Sequence, residues 1–207
     1  MSVDAHTARD DLAFLRALAE AGDDGQRQFG RVYLAAGLIY GAQMLAHGAQ
    51  ALGWIATPSW ANLAIGLGPT ALFLAVLSWL LIRHRGGRPT PMARVVAAVF
   101  SAVGLANIAL VAVVGYVAWR EHSLTTWLIY PCAVFILQGA GWMISAVLRR
   151  RPWQGWVAVG WVAAGLAMAL SVGSMGAYIL FAGLGLWACM ALPGAILLSA
   201  AARPNEG

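Results

Sequence analysis

Residues 31 to 54, RVYLAAGLIYGAQMLAHGAQALGW, form the first long apolar run of the chain, and no Asp, Glu, Lys or Arg occurs from residue 32 to residue 82. An apolar helix of about 20 residues, rising roughly 1.5 Å per residue, spans a hydrocarbon core of roughly 30 Å. The stretch therefore reads as a membrane span and the chain as an integral membrane protein. Tyr33, Tyr40, Gln43, His47 and Gln50 follow one another along it at spacings of 7, 3, 4 and 3, a seam-like stripe on one face. His47 is the single histidine inside an apolar run.

Composition agrees. The 207 residues are 61% hydrophobic and only 10% charged, far more apolar than an ordinary soluble domain. The charges are segregated at the N-terminus, in short linkers and at the C-terminus, the pattern of a polytopic bundle. All thirteen basic residues are arginine, as a GC-rich bacterial genome would give. Ten of them flank apolar spans, so the net charge of +5 serves orientation, and no nucleic-acid partner is expected. Cys132 and Cys189 lie in apolar runs, where a free thiol behaves as a small hydrophobe. The polar first 30 residues carry no cleavable-signal pattern, so the first span is expected to direct insertion.

The expected fold is an all-α membrane protein: a six-transmembrane-helix bundle of three helical hairpins, preceded by a short N-terminal amphipathic cytoplasmic helix. That helix covers residues 7–21, TARDDLAFLRALAEA, with Thr7 as cap and Gly22, Asp23, Asp24 and Gly25 as its stop. It reads as an interfacial helix or a docking element for a protein partner. Spans are expected near 32–53, 60–82, 95–118, 125–148, 154–172 and 176–200. Residues 1–30 thus form a tail, 31–203 the transmembrane domain and 204–207 a second tail. A weak parallel repeat pairs Trp60, Ser78 and Arg83 with Trp127, Ser145 and Arg149.

Arginines 27, 31, 83, 85, 88, 94, 149, 150, 151 and 203 fall on one side of this topology, and Arg120 stands on the other. The positive-inside rule then puts both termini in the cytoplasm of a bacterial inner membrane. Trp54, Trp60, Trp119 and Trp127 mark the outer interface; Trp153 and Trp156 mark the inner one. Arg83, Arg85, Arg88 and Arg94 form a basic linker with affinity for anionic lipid headgroups.

Counting from the inner arginines, Gln43, Thr70, Asn107 and Gln138 fall at similar depth, roughly 16 to 20 Å in. Unpaired amides are costly in hydrocarbon, so they are expected to face one another or enclosed water, either as interhelical glue or as a binding layer that His47 and Gln50 extend outward. Pro69 frees a carbonyl near Thr70, Pro193 is a second break, and Gly37 with Gly41 gives a GxxxG for close helix approach. No phosphate-cradling loop, HExxH, nucleophile elbow or paired intramembrane carboxylate is present, so neither enzyme chemistry nor a cofactor or metal is expected. Two functions fit: a membrane-embedded sensor, regulator or accessory subunit, or a small transporter or channel for a neutral or weakly polar solute using the amide layer. The lack of charge within the spans favours the first.

Overall fold

The computed structural model describes residues 5–83 and 90–202, with side chains from residue 25 to residue 200 within those ranges. All regular structure among the described residues is helical: α1 (Ala5–Ala51), α2 (Ser59–Arg83), α3 (Pro91–Glu121), α4 (Leu124–Arg149) and α5 (Pro152–Leu170). After these, α6 (Met175–Leu186) passes through a π-helical turn (Trp187–Ala191) into α7 (Leu192–Ala202) as one continuous rod. Five of these helical units, namely α2 to α5 and the rod over Met175–Ala200, are long and apolar enough to cross a membrane. The chain is a multi-pass membrane protein by helix composition. The sixth expected span, in the second half of α1, is not among the five, because Gln43, His47 and Gln50 dilute its apolar character.

The separate N-terminal helix is also corrected. Gly22, Asp23, Asp24 and Gly25 do not stop it; the backbone is helical without interruption from Ala5 through Ala51. Two interior glycines cost about 1 kcal/mol each relative to Ala, and packing immediately beyond them offsets that. Gln26 and Gly30 are buried, and the Phe29 ring stacks on Tyr33 at 4.7 Å and leans on Phe100 at 5.0 Å. The side chains of residues 7–21 lie outside those described, as do Arg85 and Arg88.

Short connections hold neighbouring helices antiparallel. Between α3 and α4, His122 takes the left-handed conformation (φ 49°) and the Ser123 hydroxyl accepts the Thr126 N–H at 3.1 Å. Between α4 and α5, Arg150 does the same (φ 53°), followed by Arg151 and Pro152, whose missing N–H is no loss in a first helical turn. Thr90 caps α3 in the same way, accepting from the Ala93 N–H.

The α4 helix packs on α3 and α5, α5 packs on α6, and α1 lies against α2, α6, the π turn and α7. The GxxxG of α1 does make a close crossing. A Cβ on Gly37 would lie 2.4 Å from the Ala191 nitrogen, and one on Gly41 would lie 2.0 Å from Trp187 Nε1. Both partners belong to the π turn, which forms just before Pro193, where the ring leaves no N–H for the usual helical bond. Fully buried Trp142, Trp161, Met168 and Leu197 centre the core. The sequence repeat does not extend to environment, since Ser145 is buried against Gln154 whereas Ser78 is exposed.

Candidate functional site

The stripe on α1 winds. At 3.6 residues per turn, the 17 positions from Tyr33 to Gln50 end about 100° away from where they began. Successive members therefore meet different helices.

Tyr33 turns to α4, where its hydroxyl donates to Gln138 Oε1 at 2.8 Å and accepts from Trp142 Nε1 at 2.9 Å. Phe29 stacks on the Tyr33 ring while Phe100 and Trp142 meet it edge-on, the centroids of neighbouring rings in this group lying 4.7 to 6.0 Å apart. Gln43 turns to α2 and donates through Nε2 to the Gly66 carbonyl at 3.1 Å. That carbonyl is three residues before Pro69, where the proline disturbs the helical ladder. The α4 helix uses the same device: Tyr178 of α6 donates to the Leu128 carbonyl, three residues before Pro131, at 2.8 Å. Asn107 of α3 accepts from the Tyr130 hydroxyl of α4 at 2.8 Å.

Gln43, Asn107 and Gln138 are thus each engaged by a different partner, and no hydrogen bond joins any two of them among the described residues. Thr70 is exposed on α2, away from all three. The contacts also change the depth reckoning. Since Tyr33 meets Gln138, Gln43 sits ten residues, or roughly 15 Å, further along α1 than the level of Gln138. Counting from flanking arginines treated Arg31 and Arg149 as level, which this pairing does not support.

His47 and Gln50 belong to a second group at the α1–α2 turn. Gln50 Nε2 donates to Thr57 Oγ1 and to Asn62 Oδ1, each at 2.7 Å, and the Thr57 hydroxyl bonds Asn62. With both amide hydrogens used, Gln50 Oε1 is the acceptor facing His47 Nδ1 at 3.0 Å. In this arrangement His47 Nδ1 is the donor of the pair. Around Gln43 runs an open groove of about 560 Å³, lined by Leu38, Ile39, Ala46, Ile65, Pro69 and Leu72 among others, with Gln43 the one polar side chain among the described residues that line it. Gln43, His47 and Gln50 all serve the α1–α2 crevice.

Trp142, Tyr130, Asn62 and Tyr178 were not singled out from the sequence. Trp142 had a signal: it lies four residues after Gln138, hence on the same face. Among the described residues no three His, Cys, Asp or Glu side chains gather as a metal site, and Glu121 accepts from Thr126 Oγ1 at 3.0 Å. Comparison with protein-family models, curated proteins and solved structures gives no match to this chain.

Proposed function

We propose that the protein is a non-enzymatic regulatory or accessory subunit embedded in a bacterial inner membrane, crossing it six times with both termini in the cytoplasm. The second half of α1 is the sixth crossing. It packs against α2, α6, the π turn and α7, and Gln43 and Tyr33 spend their hydrogen bonds on neighbouring helices, so its polar groups do not prevent burial in a bilayer. The three hairpins are α1–α2, α3–α4 and α5 with the α6–α7 rod.

One observation carries the choice of a regulatory role over transport: the amides of Gln43, Asn107 and Gln138 are committed to three separate interhelical bonds. A solute path through the bundle needs such groups to converge on a shared water-filled space. The helical extension of α1 through residues 7–21, continuous with a packed span, is the element offered to a protein partner, and lipid surrounds the rest.

Topology is tested with single cysteines at Thr57, His122 or Arg150 in a Cys132→Ala, Cys189→Ala background. An impermeant maleimide is expected to label the first two from outside and the third from inside. The regulatory reading is tested by deleting residues 1–24: a partner cross-linked to the full chain in native membranes should be lost while the bundle keeps its melting temperature. Solute flux in proteoliposomes that disappears on Gln43→Leu would overturn it in favour of a transporter.

A further inference from the structure

The Gln43 amide is only half used. Its nitrogen donates to the Gly66 carbonyl at 3.1 Å, and because a carbonyl can only accept, the nitrogen is the end that faces α2. The oxygen is thereby turned away from Gly66, and among the described residues it accepts no hydrogen bond. Nor is it sealed inside the protein: the side-chain atoms that are both buried and unpartnered among the described residues are Arg149 Nε and Trp161 Nε1. Gln43 is also the one polar side chain lining the α1–α2 groove of about 560 Å³. An open acceptor therefore sits in the wall of an otherwise apolar groove.

The groove is short and has two unlike ends. The Gln43–Gly66 bond and the Tyr40–Phe73 ring pair fix the antiparallel register of α1 on α2, which sets Leu38 level with Leu72, Ala42 with Gly68, and Ala46 with Ala64. Exposed Leu38 and Leu72 close the inner end, and small residues leave the two levels beyond it open. From Leu38 to Ala46 is roughly 12 Å of helix, too short to seat a membrane-spanning helix along its length but matched to a small molecule, as is the volume. Gln43 lies eight residues before the end of α1 at Ala51, roughly 12 Å in, below the level of lipid headgroups if α1 crosses the bilayer. A lone acceptor is costly there, and a donor must come from a molecule that enters the hydrocarbon. No charged side chain lines the groove, so that molecule is neutral.

We propose that the α1–α2 groove binds a small neutral alcohol or phenol, its hydroxyl donating to Gln43 Oε1 and its apolar body running inward over Pro69 to Leu38 and Leu72. This orientation, polar end outward and apolar end toward the middle of the bilayer, is the one an amphiphile takes in the membrane. The inference rests on the membrane-embedded regulatory reading, for which it supplies a ligand to be sensed, and does not depend on whether a protein partner is found.

The test uses the full chain in phosphatidylcholine nanodiscs with a diazirine-bearing octanol as photolabel, the labelled peptides being mapped by mass spectrometry. Labelling is expected to saturate within residues 38–46 and 64–72. Unlabelled octanol should compete better than octyl methyl ether, which has no donor, and Gln43→Leu should shrink that advantage by about tenfold, the worth of one hydrogen bond. Comparing the ratio between wild type and variant cancels the different partitioning of the two competitors into lipid. Gly68→Leu should lower labelling whichever competitor is present, with the melting temperature unchanged, because a Cβ there meets nothing within 4 Å and the longer side chain fills the groove. Absence of saturable labelling in these two segments, or an alcohol-to-ether ratio that Gln43→Leu leaves unchanged, would overturn the proposal. So would labelling that saturates in nanodiscs but is blocked in native membranes where a photo-cross-linker at Ala42 captures a protein, since the groove would then belong to a partner's helix. Loss of the partner cross-link on deleting residues 1–24 bears on the regulatory reading alone and leaves each of these outcomes readable.

Discussion

The α4–α5–α6 side of the molecule and its α2 helix are built of the same residue types, yet they are packed in opposite ways. In the most apolar windows of α4, α5 and the α6–α7 rod, 28 to 39% of residues are buried, against 6% in α2 and in α3. The dense side places Trp142, Trp161 and Met168 in full burial and seats Phe135 edge-on against Trp161 at 4.8 Å. The sparse side leaves Leu63, Leu67, Leu72 and Leu74 exposed and holds α2 to α1 through Gln43, the turn group and a ring pair, Tyr40 with Phe73 at 5.5 Å. Even the proline device differs in setting: the carbonyl before Pro131 is closed over by buried Tyr178, whereas the one before Pro69 is met by Gln43 at the edge of an open groove. Apolar character alone thus does not fix which helix is core. In lipid an apolar side chain gains little by turning inward, so packing shape and hydrogen bonds decide.

That contrast can be broken or sharpened by mutation. The largest effect is expected at the α1–π-turn crossing: Gly37→Val drives a side chain into the Ala191 backbone, which has nowhere to move, and should cost more than about 4 kcal/mol, seen as loss of monodisperse protein on purification. Trp142→Ala removes a fully buried indole and its bond to Tyr33, for about 3 to 5 kcal/mol in denaturant unfolding from detergent. Tyr33→Phe keeps the ring but leaves Trp142 Nε1 and Gln138 Oε1 without their partner; about 1 to 3 kcal/mol is expected, and a smaller loss would mean that water reaches the dense side. On the sparse side, Gln43→Leu should cost only about 0.6 to 1 kcal/mol, and Thr70→Val, exposed on α2, less than about 0.5 kcal/mol. A loss at Gln43 as large as that at Tyr33 would show that α2 is as firmly held as α4 and end the distinction.

Much of the fold was legible before any coordinates. Apolar runs bounded by Arg, Pro and Trp gave α2 to α5 and the last rod within a few residues, because such runs leave the backbone no partner but itself. The starts of α4 and α5 carry Ser123 and Pro152, whose helix-starting chemistry was not singled out from the sequence. The GxxxG at Gly37 and Gly41 pointed to a close crossing, though not to its partner. The candidate site was legible only as a set of residues. Gln43, Asn107 and Gln138 were found because amides in apolar runs need partners, but which partner each takes depends on helix rotation and axial offset. A count from the nearest arginine measures neither.

By itself, then, the sequence determined that this chain is a membrane-embedded helical bundle and which few polar side chains must find hydrogen bonds inside it, since both follow from the cost of bare polar groups in hydrocarbon. Tertiary structure decided the continuity of α1 through Gly22 to Gly25, the π turn ahead of Pro193 and the separation of the amides into three pairs. Each of these costs only a few kcal/mol locally, and that is within the range that packing between helices can supply or withhold.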